Sequence, residues 1–165
     1  MLLLAGRSEF ILIGLEGEAL RYAKCMPIRN AQAEWHGPLQ GGSGKISFSG
    51  FEGSYSAPSR FEEAPGTNPE ELLGAAHAGC FSMALAAGLS RAGFNPETIK
   101  TQASVHLSPA PEGGFWISKI ELSCEARVPG ISEPDFQSQA QAAKLGCPVS
   151  RALSGVEITL KAQLD

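Results

Sequence analysis

Residues 72–90 read LLGAAHAGCFSMALAAGLS, without a single Asp, Glu, Lys or Arg. Just upstream, Asn68-Pro69-Glu70-Glu71 carries the marks of a helix start. Asn68 can cap, Pro69 suits the first helical position, and Glu71 completes a capping-box-like pattern. A helix over 72–90 is apolar or small all round, and such a helix has to be covered on every side. A lone small domain does that poorly. The stretch therefore predicts a helix wrapped by sheet and by a second subunit.

The remaining pattern supplies the sheet. Residues 31–36 alternate, with Ala31, Ala33 and Trp35 on one side and Gln32, Glu34 and His36 on the other, which predicts a half-buried strand. Gly41, Gly42 and Gly44 mark a turn, and residues 45–49 begin a second strand. The glycines and prolines of 50–66 predict an irregular stretch with room for one more short strand. Strands return over 101–108 and 115–128, the latter with Trp116, Ile120, Leu122, Cys124, Ala126 and Val128 on one face. Residues 132–145 read as a helix stopped by Gly146. A short helix opens at Cys147-Pro148, and a final strand alternates from Val156 to Leu164. The order predicts an α+β protein. No repeat or long linker divides it.

With 165 residues, 43% of them hydrophobic and 18% charged, the chain is expected to be globular. A net charge of -4 without a Lys/Arg cluster argues against a nucleic-acid partner. At the N-terminus, Arg7, Ser8 and Glu9 cut the apolar residues into runs of about five, where a bilayer span needs roughly 20. No membrane partner and a cytoplasmic location are expected. The four cysteines are then not a structural disulfide framework, and no spacing suits zinc, so no metal is expected.

Cys124 falls on the apolar face of a strand and reads as core; Cys25 sits beside Met26 and Pro27 with no evident role. Cys80 is embedded among Ala, Gly and Phe and, by local composition, also reads as core. Cys147 precedes Pro148 at a helix start, where free N–H groups favour a thiolate, although a structural cap fits as well. His77, three residues before Cys80, would be its neighbour on a helix. It reads as a satisfied polar residue, or as half of a Cys–His pair. His36 and His106 fall on polar strand faces and need no special role.

At this point the residues resemble a known family. Arg60-Phe61-Glu62, the run Gly66-Thr67-Asn68-Pro69-Glu70-Glu71-Leu72, and the segment Ala75-Ala76-His77-Ala78-Gly79-Cys80-Phe81-Ser82-Met83 look like the OsmC/Ohr family of organic hydroperoxide reductases. Val128-Pro129-Gly130-Ile131 and Gly146-Cys147-Pro148-Val149-Ser150 follow in matching order, with wording closer to the OsmC-like branch. The resemblance runs from about Met26 to the C-terminus. It implies an N-terminal extension over 1–25 and a single OsmC-like domain over 26–165. The implied fold has antiparallel sheets wrapped around long central helices in an intertwined homodimer.

The resemblance also implies roles. Cys80 corresponds to the peroxidatic cysteine and Cys147 to the resolving cysteine, which close an intramolecular disulfide. Arg60 matches the arginine that holds thiolate and peroxide, and Glu70 the carboxylate that orients it. An organic hydroperoxide would be the substrate. The external reductant would be a lipoyl-type dithiol, dihydrolipoamide or a lipoylated protein, with no cofactor bound. Phe51, Phe61, Leu72 and Phe81 fit the walls of an apolar substrate pocket and fit the core equally well.

Elementary chemistry sharpens two expectations. Glu70 and Cys80 would be about 15 Å apart along a straight helix, so a break near Gly74 or Gly79 is expected to bring them together. A free thiol is already a few per cent thiolate at neutral pH, so deprotonation alone yields only tens-fold in rate. The remainder has to come from positioned charge, which assigns Arg60 more than pKa tuning. Two other functions fit these residues: an acyl-transfer enzyme using Cys80 and His77, and a non-catalytic stress or binding protein on the same fold.

Overall fold

The computed structural model describes residues 27–165, so the extension over 1–25, with Cys25, lies outside the described residues. In chain order the elements are β1 (Ala31–His36), β2 (Ser43–Phe48), β3 (Phe51–Ser56), α1 (Ala57–Phe61), α2 (Pro69–Arg91), β4 (Thr98–Pro109), β5 (Phe115–Arg127), α3 (Glu133–Gly146), α4 (Pro148–Ala152) and β6 (Glu157–Leu164). They build two three-stranded sheets, β1-β2-β3 and β4-β5-β6.

The apolar stretch organises the core. Asn68 Oδ1 accepts from the Glu71 backbone N–H at 2.9 Å and caps α2. Glu71 does not close the reciprocal half of the box; its carboxylate accepts from Thr67 Oγ1 instead, at 3.3 Å. Along α2, Gly74, His77, Phe81, Leu85 and Leu89 recur every three or four residues and form the buried stripe. They pack with Ile120, Leu122, Cys124 and Ala126 of β5 and with Phe136, Ala140 and Ala143 of α3. Each fully buried Phe or Leu in this cluster contributes about 1.5–3 kcal/mol relative to exposure. A Cβ at Gly74 would stand 3.2 Å from the Ala103 carbonyl, so glycine allows the helix to lie close on β4.

α2 is unbroken from Pro69 to Arg91, which overturns the expected break at Gly74 or Gly79. Neither glycine has a positive φ. The alanines and leucines around them favour helix strongly enough to carry both.

The second sheet departs from expectation in two places. β4 and β5 run antiparallel, whereas β5 and β6 run parallel, joined by a crossover through α3 and α4. The β4–β5 register also shifts between His106 and Leu107, leaving Ser118 as an extra residue. The shift turns Ile117 to the core and leaves Trp116 48% exposed, where the two-residue period had placed Trp116 inside.

Among the described residues the first sheet has almost no cover. Every residue of β1 except Trp35 is exposed, so the half-buried strand expected from its alternation is not half-buried here. Trp35 packs at 5.2 Å on Tyr55, whose ring lies where any side chain at Gly44 would be. The sheet joins the body of the chain through α1 and a bridge between Tyr55 and Thr67. On α2, the side away from the core is likewise uncovered by the described residues: Ala76, Gly79, Met83 and Ala87 line it, with Met83 76% exposed.

Candidate active site

Ser56 starts α1. Its side chain accepts from the Ser59 N–H at 3.2 Å while Ser59 Oγ accepts from the Ser56 N–H at 2.9 Å, a complete capping box. Ser59 Oγ is also 2.9 Å from the Thr67 carbonyl, and Asn68 Nδ2 donates to the Ser59 carbonyl at 3.1 Å. The loop between α1 and α2 is thereby laced to both helices. Gly66 sits in it at φ +125°, and a Cβ there would meet the Ser54 carbonyl at 2.9 Å.

That lacing sets Arg60 against Glu70. Arg60 Nη2 donates to Glu70 Oε1 at 2.7 Å, and Nε lies 3.2 and 3.1 Å from the two carboxylate oxygens. The hydrogen bond to Glu70 raises the guanidinium pKa further, so its charge is permanent. Arg60 also lies 5.3 Å from the centroid of the Phe61 ring, which packs on Phe115 at 5.0 Å. An open pocket of about 250 Å³ adjoins the pair, lined by Arg60, Asn68, Glu70, Ala103, Val105 and Leu107 among others.

Of the four expected pocket walls, none lines this cavity. Phe61 stands beside Arg60, and Leu72 is half-buried on α2. Phe51 stacks on Phe48 at 4.8 Å in the first sheet. Phe81 is fully buried in the core, because it shares the stripe of His77 and Leu85. The apolar wall beside Arg60 comes instead from β4, through Ala103, Val105 and Leu107.

The second pair is Cys80 and Cys147, whose sulfurs lie 2.8 Å apart although 67 residues separate them in sequence. Cys80 projects from the middle of α2 and is half-buried, not at a helix start as the expected break required. Cys147 ends α3 and caps α4, with no exposure at all. Burial pushes the Cys80 thiol up, and its hydrogen bond to Cys147 adds to that. Burial would raise Cys147 too. Its contact with Cys80, together with the Ser150 N–H and hydroxyl and the Val149 N–H, outweighs burial and carries Cys147 below an ordinary thiol. The two thiols titrate as a coupled pair, with Cys147 the more acidic of the two.

His77 does not pair with Cys80. It is fully buried, and its Nε2 lies 2.8 Å from Ser150 Oγ. Ser150 is the polar residue that reading the sequence missed; a serine three positions after Cys147 is a local signal, but its link to His77 is not. Cys124 is core, as expected. His36 and His106 pair with Glu34 and Glu121 on exposed strand faces. Among the described residues no three His, Cys, Asp or Glu side chains are grouped to hold a metal ion. Helix α2 is long and apolar enough to cross a bilayer, but one stripe of it is the protein core described above.

Comparison with known proteins identifies the family. Residues 62–161 match the family model described as OsmC-like protein. The chain is 49% identical over 139 residues to the peroxiredoxin OsmC of Escherichia coli K12, covering 82% of this chain and 96% of that protein. It is 35% identical over 97 residues to the organic hydroperoxide resistance protein of Xanthomonas axonopodis pv. citri, covering 58% of this chain and 66% of that one. Its fold is similar to the crystal structure of an OsmC-like protein from Mycoplasma pneumoniae, with a TM-score of 0.69 at 17% identity over 85% of this chain and 99% of the other. A matching family model over residues 62–161 and a relative sharing 49% of residues along nearly its full length make this chain a member of the OsmC-like family.

Proposed function

We propose that this chain is a thiol-dependent peroxidase that reduces organic hydroperoxides to alcohols in oxidative stress defence. The observation that carries the reading is the 2.8 Å approach of the Cys80 and Cys147 sulfurs at the junction of α2 and α4. The relatives named peroxiredoxin and organic hydroperoxide resistance protein support it.

Cys80 is the sulfur a peroxide can reach, since Cys147 is fully covered. Its thiolate attacks the terminal peroxide oxygen, the O–O bond breaks, and the departing alkoxide takes a proton to leave as the alcohol. Cys80 is left as the sulfenic acid. Cys147 then attacks that sulfur, an S–S bond replaces the S–O bond, and hydroxide leaves as water. An external dithiol of lipoyl type returns both cysteines to thiols and is itself oxidised to its disulfide.

The arginine has to come from elsewhere. On an unbroken α2, Glu70 and Arg60 are held about 15 Å along the axis from Cys80. A second copy supplies them: in a homodimer, the small-residue side of α2 around Met83 and the uncovered β1-β2-β3 sheet are covered by the partner. The partner subunit's Arg60 then faces Cys80. A fixed guanidinium there favours the Cys80 thiolate and stabilises the leaving oxygen. The apolar β4 wall beside Arg60 favours alkyl hydroperoxides over hydrogen peroxide, by about 0.8 kcal/mol per buried methylene. A soluble, cytoplasmic dimer fits this reading, with α2 sealed inside it.

The test is a thiol titration before and after one equivalent of tert-butyl hydroperoxide, with peptide mapping. Loss of two thiols and a Cys80–Cys147 disulfide is expected. A folded protein with no thiol loss would overturn the reading and leave a binding protein on this fold. The acyl-transfer reading lacks its pair, because His77 bonds to Ser150 and makes no hydrogen bond to Cys80.

A further inference from the structure

His77 is out of place by the ordinary rules of a core. It lies fully buried on the same stripe as Phe81 and Leu85, where an apolar residue would pack without polar cost. Its Nδ1 is buried and has no hydrogen-bond partner among the described residues. Buried polar atoms left unpaired are few in folded proteins, and each calls for a reason.

The reason lies on the other side of the ring. Nε2 reaches Ser150 Oγ at 2.8 Å, across 73 residues of sequence. Ser150 is itself buried and occupies the third position of α4, the helix that Cys147 caps. Ser150 thus stands one turn along from Cys147, and its hydroxyl and backbone N–H are among the groups that favour the Cys147 thiolate. That sulfur is 2.8 Å from Cys80. The four side chains therefore form one line, from the buried His77 ring through Ser150 and Cys147 to the half-buried Cys80.

The line has a direction. An orphaned buried N–H is rarer than an under-used acceptor, so the ring proton belongs on Nε2, with Nδ1 the bare acceptor. Nε2–H donates to Ser150 Oγ, which frees the Ser150 O–H to donate to sulfur. A donor that points at sulfur favours thiolate over thiol. Burial holds the ring neutral by lowering the pKa of His77, so the arm adds no charge of its own.

We propose that His77 and Ser150 are positioning residues that hold Cys147 as the attacking thiolate in the resolving step. In that step the Cys147 thiolate forms the S–S bond to the Cys80 sulfenic acid, and the S–O bond breaks. The hydroxide leaves with its electron pair and takes up the proton that Cys147 had released, forming water. The arm does not touch the peroxide. It acts on the second half of the cycle, and to that extent the inference rests on the two-cysteine peroxidase reading.

Two measurements test it in the full chain. The first is the thiolate absorbance of Cys80→Ser protein, titrated with pH and compared with Cys80→Ser/Ser150→Ala and Cys80→Ser/His77→Phe. The apparent pKa of Cys147 is expected to rise by about one unit or more without the hydroxyl, and to rise with His77→Phe too. Ser150→Ala removes one oxygen and keeps the helix, so it remains informative should His77→Phe fail to fold. This measurement uses no peroxide, so it stands apart from failure of the peroxidase reading, which would show as no thiol loss in the unaltered protein. The second is a single turnover with tert-butyl hydroperoxide, following peroxide loss and disulfide formation separately. In Ser150→Ala the ratio of disulfide rate to peroxide rate is expected to fall about tenfold, with dimedone trapping the accumulated sulfenic acid, and Ser150→Thr is expected to restore it. An unmoved Cys147 titration, or equal slowing of both steps, overturns the proposal.

Discussion

Glu70 and Cys80 stand on one unbroken helix, ten residues apart, so the ion pair Arg60–Glu70 and the thiol pair Cys80–Cys147 of a single chain cannot share a substrate. The rigidity of α2 turns one expected site into two halves, each complete in its own geometry. The proposed centre needs both.

Arg60→Lys is expected to lower kcat/KM for tert-butyl hydroperoxide by about 10²–10³. Arg60 contacts Glu70 through both Nε and Nη2, and a lysine cannot reproduce that fork while offering donors to a peroxide. A dithiol-coupled turnover assay reads the effect. Near-normal turnover would remove Arg60 from the chemistry.

Cys147→Ser is expected to consume one equivalent of peroxide and then stop, with Cys80 found as sulfenic acid by mass spectrometry. Cys80→Ser is expected to consume none, since the buried Cys147 has no route to substrate. Sustained turnover in Cys147→Ser with a lipoyl dithiol would mean the reductant resolves the sulfenate directly.

Met83→Glu addresses the missing half. Met83 is 76% exposed on the side of α2 where Ala76, Gly79 and Ala87 permit a close approach. A carboxylate buried there between two copies is costly enough to separate them. Sedimentation is expected to show a monomeric mass, and turnover is expected to fall with it. A monomer with full activity would refute a site shared between subunits.

The stability of the fold is expected to fall as pH drops below neutrality, with His77 contributing a defined share. Burial lowers the folded pKa of His77 below its ordinary 6.5. The unfolded chain therefore binds the proton first. The contribution is complete above about 6.5 and is lost as pH falls from there through the folded value, at up to about 1.4 kcal/mol per pH unit. Urea midpoints at pH 7.5 and 5.5 for wild type and His77→Phe check this, and equal pH losses in both would exclude His77 as the source.

The parts of this fold that were legible in sequence are those with local causes. The cap at Asn68, the apolar run of α2, the stop at Gly146 and the strand at Ala31–His36 all follow from neighbouring residues. Helix α1 was hidden because Pro58 and the surrounding glycines read as loop, although Ser56, Pro58 and Ser59 spell a capped first turn. The extra residue at Ser118 leaves no mark in a two-residue period, so Trp116 was assigned to the wrong face. The direction of β6 and the contact of His77 with Ser150 depend on residues far apart in the chain. The pairing of Cys80 with Cys147 is legible through the family's signatures and not through local composition, which reads Cys80 as core. The expected helix break came from asking one chain to hold all four residues, an assumption the Ala- and Leu-rich α2 does not accommodate.

The bare β1-β2-β3 sheet bears on how much of this protein exists as an enzyme at a given dose. In the proposed dimer that sheet and the outer side of α2 are covered when two chains meet, so folding and association draw on the same free energy. The melting temperature should then climb with protein concentration, and dilution should favour unfolded chains over folded monomers. A cell making little of the protein would hold less than its proportionate share of active sites, and a burst of synthesis under stress would raise activity more steeply than chain number.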